Sequence, residues 1–265
     1  SQVVCINVIA HLLRNLKFVI KRSRNMCAMT ALIRTYSPIH LFTHSLKKRA
    51  AFTLAEVLIT LGIIGVVAAM TMPSLVANYQ RKVLETSFKK SYSVVSQAVQ
   101  RLIDDEGYIP KAENFGMGEF NVLLTKYIES TGQIPMDGKS FINWFTDFYR
   151  TYNKRNLSAT AQWWFDDGYF TAVDGTFIFV DNSNTENLLI GVDTNGKKAP
   201  NLLGHDVFLF ELDSETGALK GYDGYNKRGD EGSKYCDKNS SSGLNGLSCS
   251  FEVLKNPDEY FKNLP

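Results

Sequence analysis

The sequence predicts an α+β protein: a long N-terminal α-helix packed on a small antiparallel β-sheet, followed by a loop-rich C-terminal region. Three observations point there. Residues 52–72 are 21 residues with a single charge, Glu56. From Val76 to Leu102 apolar residues recur at threes and fours, the period of an amphipathic helix. From about Gln162 the chain changes to short apolar runs broken by turn pairs such as Asp174-Gly175, which is how antiparallel strands are written.

Residues 1–51 read as a basic leader. Residues 1–50 hold 9 Lys/Arg and no Asp/Glu, whereas 51–265 hold 20 Lys/Arg against 27 Asp/Glu. The apolar patches at 3–10 and 12–20 are broken by His11, Arg14 and Lys17 and are too polar for a span. Met29 and Met26 are candidate starts, which would make the residues upstream an over-extended N-terminus. An amphipathic basic helix on the inner membrane surface and a plain tail are the other readings. The acidic balance after residue 50 argues against nucleic acid as a partner, because phosphate binding needs clustered cations.

Residues 52–77 read as a membrane span. A 21-residue helix covers roughly 30 Å, about the hydrocarbon thickness of a bilayer. Lys47-Lys48-Arg49 stands just before it, an order that keeps this end in the cytoplasm and sends the rest outward. A carboxylate within such a span is costly and is read as functional. The competing reading has Glu56 snorkelling to the interface from near the helix end. Pro73 removes one backbone hydrogen bond and should kink or loosen the helix.

The string K-K-R-A-A-F-T-L-A-E-V-L-I-T-L-G-I-I-G-V-V-A-A-M-T-M-P, residues 47–73, resembles the N-terminal signal of type IV prepilins and type II secretion pseudopilins. The resemblance implies cleavage by a prepilin peptidase between Ala51 and Phe52, with N-methylation of Phe52. It makes Glu56 the assembly residue and Pro73 the helix-loosening proline. The family usually has Gly before the cut, where this chain has Ala51. The resemblance also implies a pilin-like fold, storage in the bacterial inner membrane with the C-terminal domain outside, and later transfer to a pilus, pseudopilus or cell surface. Its partners would be the lipid bilayer, the peptidase, sister subunits, and an inner-membrane assembly platform driven by a cytoplasmic ATPase.

Residues 78–107 continue the helix on an amphipathic stripe of Val76, Tyr79, Val83, Phe88, Tyr92, Val95, Val99 and Leu102. Arg81, Lys82, Glu85, Lys89 and Lys90 fill the other faces, and Gly107 is the stop signal. Residues 108–265 form the extracytoplasmic domain. Short helices are expected at 120–130 and 140–152, and strands at 169–173, 176–180, 188–192 and 207–212. The Trp163-Trp164-Phe165 run reads as the lead into the first strand, and 251–254 as an added edge strand. About four strands laid on the helix would bury both apolar faces.

Cys236 and Cys249 enclose 12 residues rich in Ser, Asn and Gly. Outside the membrane they can pair, and closing such a loop is worth about 3 kcal/mol. Free thiols or a zinc site are the alternatives; zinc needs two more ligands, and the only histidine after the leader is His205.

The segment at 192–208 resembles a D-x-N-G…P-N…G-x-D-x-F stretch of pseudopilin-like proteins. Asp193, Asn195 and Asp206 offer oxygens for a hard cation such as calcium. Alternatively Asn195-Gly196 is a tight turn and the two carboxylates cap backbone amides, which the lack of EF-hand spacing favours. Residues 166–168 and 181–184 are similar oxygen-rich turns. His205 has no nucleophile or metal set beside it, so no enzyme is expected, and no cofactor other than that calcium. Trp144, Trp163, Trp164, Phe165 and Tyr169 offer a surface for sugars or proteins, or more simply fill the space between sheet and helix.

The function read from all this is a structural pilin or pseudopilin subunit. The 214 residues after the cut favour a minor one. The rival is a signal-anchored extracellular binding protein that never polymerises.

Overall fold

The structure, a computed structural model, describes residues 52–134, 139–182, 187–224 and 235–265, with backbone alone for 133–134 and 139–143. The leader and Ala51 lie outside the described residues. Two units divide the chain, Ser1–Leu54 and Ala55–Pro265.

Helix α1 is a single run, Leu54–Glu106, 53 residues long, and it passes through Pro73 without interruption. The expected stop holds: Gly107 takes φ +75°, and its N–H returns to the Ile103 carbonyl at 2.9 Å. After a 3-10 turn (Ala112–Asn114) come α2 (Glu119–Leu124), β1 (Ser130–Ile134), α3 (Lys139–Phe148) and a second 3-10 turn (Ala161–Trp164). Then follow β2 (Tyr169–Ala172), β3 (Phe177–Asp181), β4 (Leu189–Asp193), β5 (Val207–Leu212), β6 (Leu219–Gly221), α4 (Cys249–Lys255) and α5 (Pro257–Lys262).

The sheet has six strands in sequence order, every pair antiparallel. It is wider than the expected four. The additions are β1, a polar strand with an irregular register at Ser130/Gly132, and the three-residue β6. Residues 251–254 are not an edge strand. They lie in α4, where Cys249, Ser250 and Val253 are buried at helical spacing and Phe251 faces out. Residues 161–164 make a 3-10 turn rather than the start of β structure.

Both faces of the central strands are buried. One face, through Ile178, Val180, Ile190, Val192, Phe208 and Phe210, packs on Phe88, Val95, Val99 and Leu102 of α1. Phe88 is the hub of this core, with its ring centroid 4.6 Å from Phe208 and 5.8 Å from Phe261. The other face, through Phe177, Phe179, Leu189 and Leu209, packs on Phe145, Tyr149, Trp164 and Phe165. The tryptophan-rich set therefore does not fill the space between sheet and helix. It builds a second core on the opposite side of the sheet, with Phe145 and Phe165 stacked at 4.7 Å.

Polar bonds fix α1 to the domain. Glu85, expected on an outer face, is buried and takes Lys82 at 3.0 Å and Lys89 at 2.6 Å; Lys89 also reaches Asp258 of α5 at 2.8 Å. Two flanking lysines supply what a buried carboxylate needs. Lys90 pairs with Asp174 in the β2–β3 turn, and the Tyr92 hydroxyl donates to the Leu219 carbonyl of β6.

Candidate functional sites

The first site is the apolar beginning of α1. The helix is long and apolar enough to cross a membrane, and none of its apolar stretch is buried. Phe52 is 87% exposed, and Leu58, Ile59, Ile63 and Ile64 are each exposed by 60% or more. Glu56 sits in the first turn, where a negative charge is favoured by the helix dipole. The hydroxyls of this stretch bond to their own backbone: Thr60 to the Val57 carbonyl, Thr71 to Val67 and Ser74 to Thr71. That leaves them compatible with lipid, where an unmet hydroxyl is costly. Thr71 and Ser74 flank Pro73, so the ring that removes one helix N–H has hydroxyls bonded to the helix on either side.

The second site is the β4–β5 loop, with Asp193 and Asp206 at its two mouths. Backbone pairing of the Thr194 N–H with the Asp206 carbonyl, at 2.8 Å, brings the ends together. Asp193 Oδ1 accepts from the N–H groups of Asn195 (3.1 Å) and Gly196 (2.8 Å), and its Oδ2 accepts from the Tyr149 hydroxyl at 2.7 Å. Asp206 accepts from the amides of Asn201 and Leu202 at 2.8 and 2.7 Å. All four carboxylate oxygens therefore already hold a donor, which a cation here would have to share. Gly196 has φ +63°, and a Cβ on it would collide with the Gly175 carbonyl of the β2–β3 turn. A glycine is required there on both counts.

Burial pushes the Asp193 carboxyl up to about 8, and the Asp206 charge adds to the effect. Burial likewise raises Asp206 to about 6. His205 is buried with a ring nitrogen 2.9 Å from the Tyr152 carbonyl, and burial lowers it to about 4. It packs as a neutral loop histidine. Asn195 is adjacent to this pair, and its Oδ1 is buried without a partner among the described residues, as is the Thr194 hydroxyl.

A third cluster escaped the linear reading. Asp166, Asp167 and Asp181 bring carboxylate oxygens within 4.8 Å of one another. Two turns treated separately in sequence are joined by pairing of Asp167 and Gly168 with Val180. Asp167 accepts from the Asn182 amide at 2.8 Å, and Asp166 is raised to about 6 by burial and then by Asp167. A cation could bridge these oxygens.

Cys236 and Cys249 are joined as a disulfide with Cα atoms 4.9 Å apart. Cys249 opens α4 inside the α1-facing core, and beside it the Tyr260 hydroxyl donates to the Gly204 carbonyl at 2.8 Å. The bridge ties the segment at Cys236 to α4, and the Tyr260 bond ties α5 to the β4–β5 loop.

The family model of the prokaryotic N-terminal methylation motif matches residues 46–72. Neither the curated proteins nor the solved structures give a match. The motif is the type IV prepilin-type signal, and it covers Lys47-Lys48-Arg49 and the exposed apolar start of α1.

Proposed function

We propose that this chain, which carries the type IV prepilin-type signal, is a structural subunit of a type IV pilus or a type II secretion pseudopilus. It is stored in the inner membrane by the first part of α1, with the sheet domain outside. A prepilin peptidase cuts it between Ala51 and Phe52 and methylates the new terminus. Sister subunits then take it up through α1 at an inner-membrane platform driven by a cytoplasmic ATPase. The size of the exported part suits a minor subunit.

The observation that carries this reading is the division of labour along α1. Its second half is locked into the domain by Phe88, Val95, Val99 and Leu102, while its first half buries nothing against the described residues. An apolar helix left this bare needs lipid or other helices around it. Cutting before Phe52 would create an α-amino group at the helix start, in the same low-dielectric surroundings as Glu56. Opposite charges there attract strongly, and each offsets the other's desolvation only when they meet. Glu56 of an incoming subunit against Phe52 of its neighbour would satisfy both charges and set the register of the stack.

The test is intact mass and N-terminal sequencing of the protein from native membranes. A chain beginning at Phe52 with one added methyl group is the expected result. An uncut leader, or a cut elsewhere, would overturn the reading in favour of a signal-anchored protein that stays a monomer.

A further inference from the structure

Beside the membrane-proximal part of α1 lies a groove of about 810 Å3. One wall is α1 between Ala77 and Lys90; the other is the β4–β5 loop, including Thr194, Asn195, Lys198 and Pro200. Arg81 and Lys198 both line it, together with Lys154 and the Lys90–Asp174 pair, and among the described residues neither Arg81 nor Lys198 makes an ion pair. By contrast Lys82, Lys89 and Lys90 on the same helix are all paired. Tyr79, which also lines the groove, is 70% exposed, off the buried stripe it was expected to join. The loop wall holds two buried polar atoms without partners, Thr194 Oγ1 and Asn195 Oδ1, and Thr194 is only 9% exposed.

Helix geometry sets the depth of the groove. Arg81 stands nine residues past Met72, which is about 14 Å along the axis. The headgroup layer beyond the hydrocarbon is roughly 5–8 Å thick. A long basic side chain with an apolar stem closes most of the remaining gap.

We propose that this groove binds the headgroup of an anionic phospholipid in the leaflet from which α1 emerges. The phosphate is held by the two cations that make no ion pair, Arg81 and Lys198. Phosphatidylglycerol carries a net negative charge, whereas phosphatidylcholine carries none. An acidic segment of a second copy would match the cations too, but the position of Arg81 directly above the span favours lipid. The inference rests on residues 52–72 crossing the membrane, which belongs to the preceding reading.

The test uses the full chain in vesicles of phosphatidylcholine with a minority of phosphatidylglycerol. Flotation reads insertion on its own. Native mass spectrometry of the released chain then reads which lipid stays bound. Phosphatidylglycerol should be enriched over its share of the bilayer, by about fivefold for each basic contact. The enrichment should fall in Arg81→Gln and in Lys198→Gln, and persist in Lys126→Gln at the far end of the domain. A chain that floats but shows no enrichment, or keeps it in both variants, overturns the headgroup site and leaves the span standing. A chain that fails to float overturns the span itself. Displacement of the lipid by inorganic phosphate would mark a free-anion site, and crosslinks from Lys198 to a second chain would mark a protein occupant; either result also overturns the proposal.

Discussion

The ring of Phe165 lies directly on the backbone of Gly191. A Cβ at that position would come within 2.5 Å of Phe165 Cδ1 and 2.6 Å of Cε1. The strand thus approaches the second core closely enough that a hydrogen is the only side chain that fits. Gly191→Ala should cost about 1–3 kcal/mol, the usual penalty of overpacking a dense core. Phe165→Leu in the same chain should recover part of that loss. Chemical denaturation of the detergent-solubilised single and double variants checks the coupling, and additive costs would show that the two residues do not collide.

Raising the pH above neutral should loosen the domain. Asp193 and Asp206 bind a proton more tightly in the fold than in the unfolded chain, with folded values of about 8 and about 6. Their contribution is therefore complete below the ordinary carboxylate range and is lost as pH rises towards 8. His205, lowered to about 4, works the other way: its contribution is complete above its usual 6.5 and is lost as pH falls towards 4. Above neutrality only Asp193 still titrates among the three. The melting temperature should fall between pH 6 and pH 9, and Asp193→Asn should flatten that fall. An equally steep fall in the variant would remove Asp193 as its cause.

Glu56→Ala should leave the membrane pool intact and cut the assembled fraction by about tenfold or more, since removing one member of a buried charge pair costs well over the 1.4 kcal/mol that a factor of ten requires. Sheared-surface fractions compared with membrane fractions give the readout. Full assembly of the variant would return Glu56 to a snorkelling role at the interface.

Replacing both Cys236 and Cys249 with serine should destabilise the domain by about 3 kcal/mol, the amount expected for a loop of this length. Adding a reductant should bring the parent down to the variant and leave the variant unmoved. Thermal unfolding with and without reductant distinguishes a stapling role from two cysteines that merely sit close together.

Where one periodicity runs long enough, the sequence was readable. The α1 stripe from Phe88 to Leu102, the Gly107 stop and the Asp174-Gly175 hairpin all follow from local pattern, and so do β3, β4 and β5. The β1 run Ser130-Thr131-Gly132-Gln133-Ile134 carries one apolar residue, so no alternation announced it. Phe251-Glu252-Val253-Leu254 fits two periods equally well. Only the burial of Cys249, Ser250 and Val253 settles it as helix. The Asp166, Asp167 and Asp181 cluster depends on which strand lies beside which, and a linear pattern does not contain that. Tyr79 and Val83 fit the apolar period of α1 but lie beside the groove at its membrane end, where the sheet leaves them 70% and 45% exposed.

The strand order, each strand beside its neighbour in the chain, bears on how such a protein acquires its shape. A polypeptide made from its N-terminus presents β1 first and β6 last. From β2 onward each new strand pairs with the one just before it, so those closures are local. Only β1 stays unpaired while α3 and the second 3-10 turn are formed before its partner β2, and that polar strand is the edge open longest to neighbouring chains. Helix α5 follows the sheet in the chain and sets Phe261 against Phe88, so an element formed after the sheet closes the core on the helix formed before it.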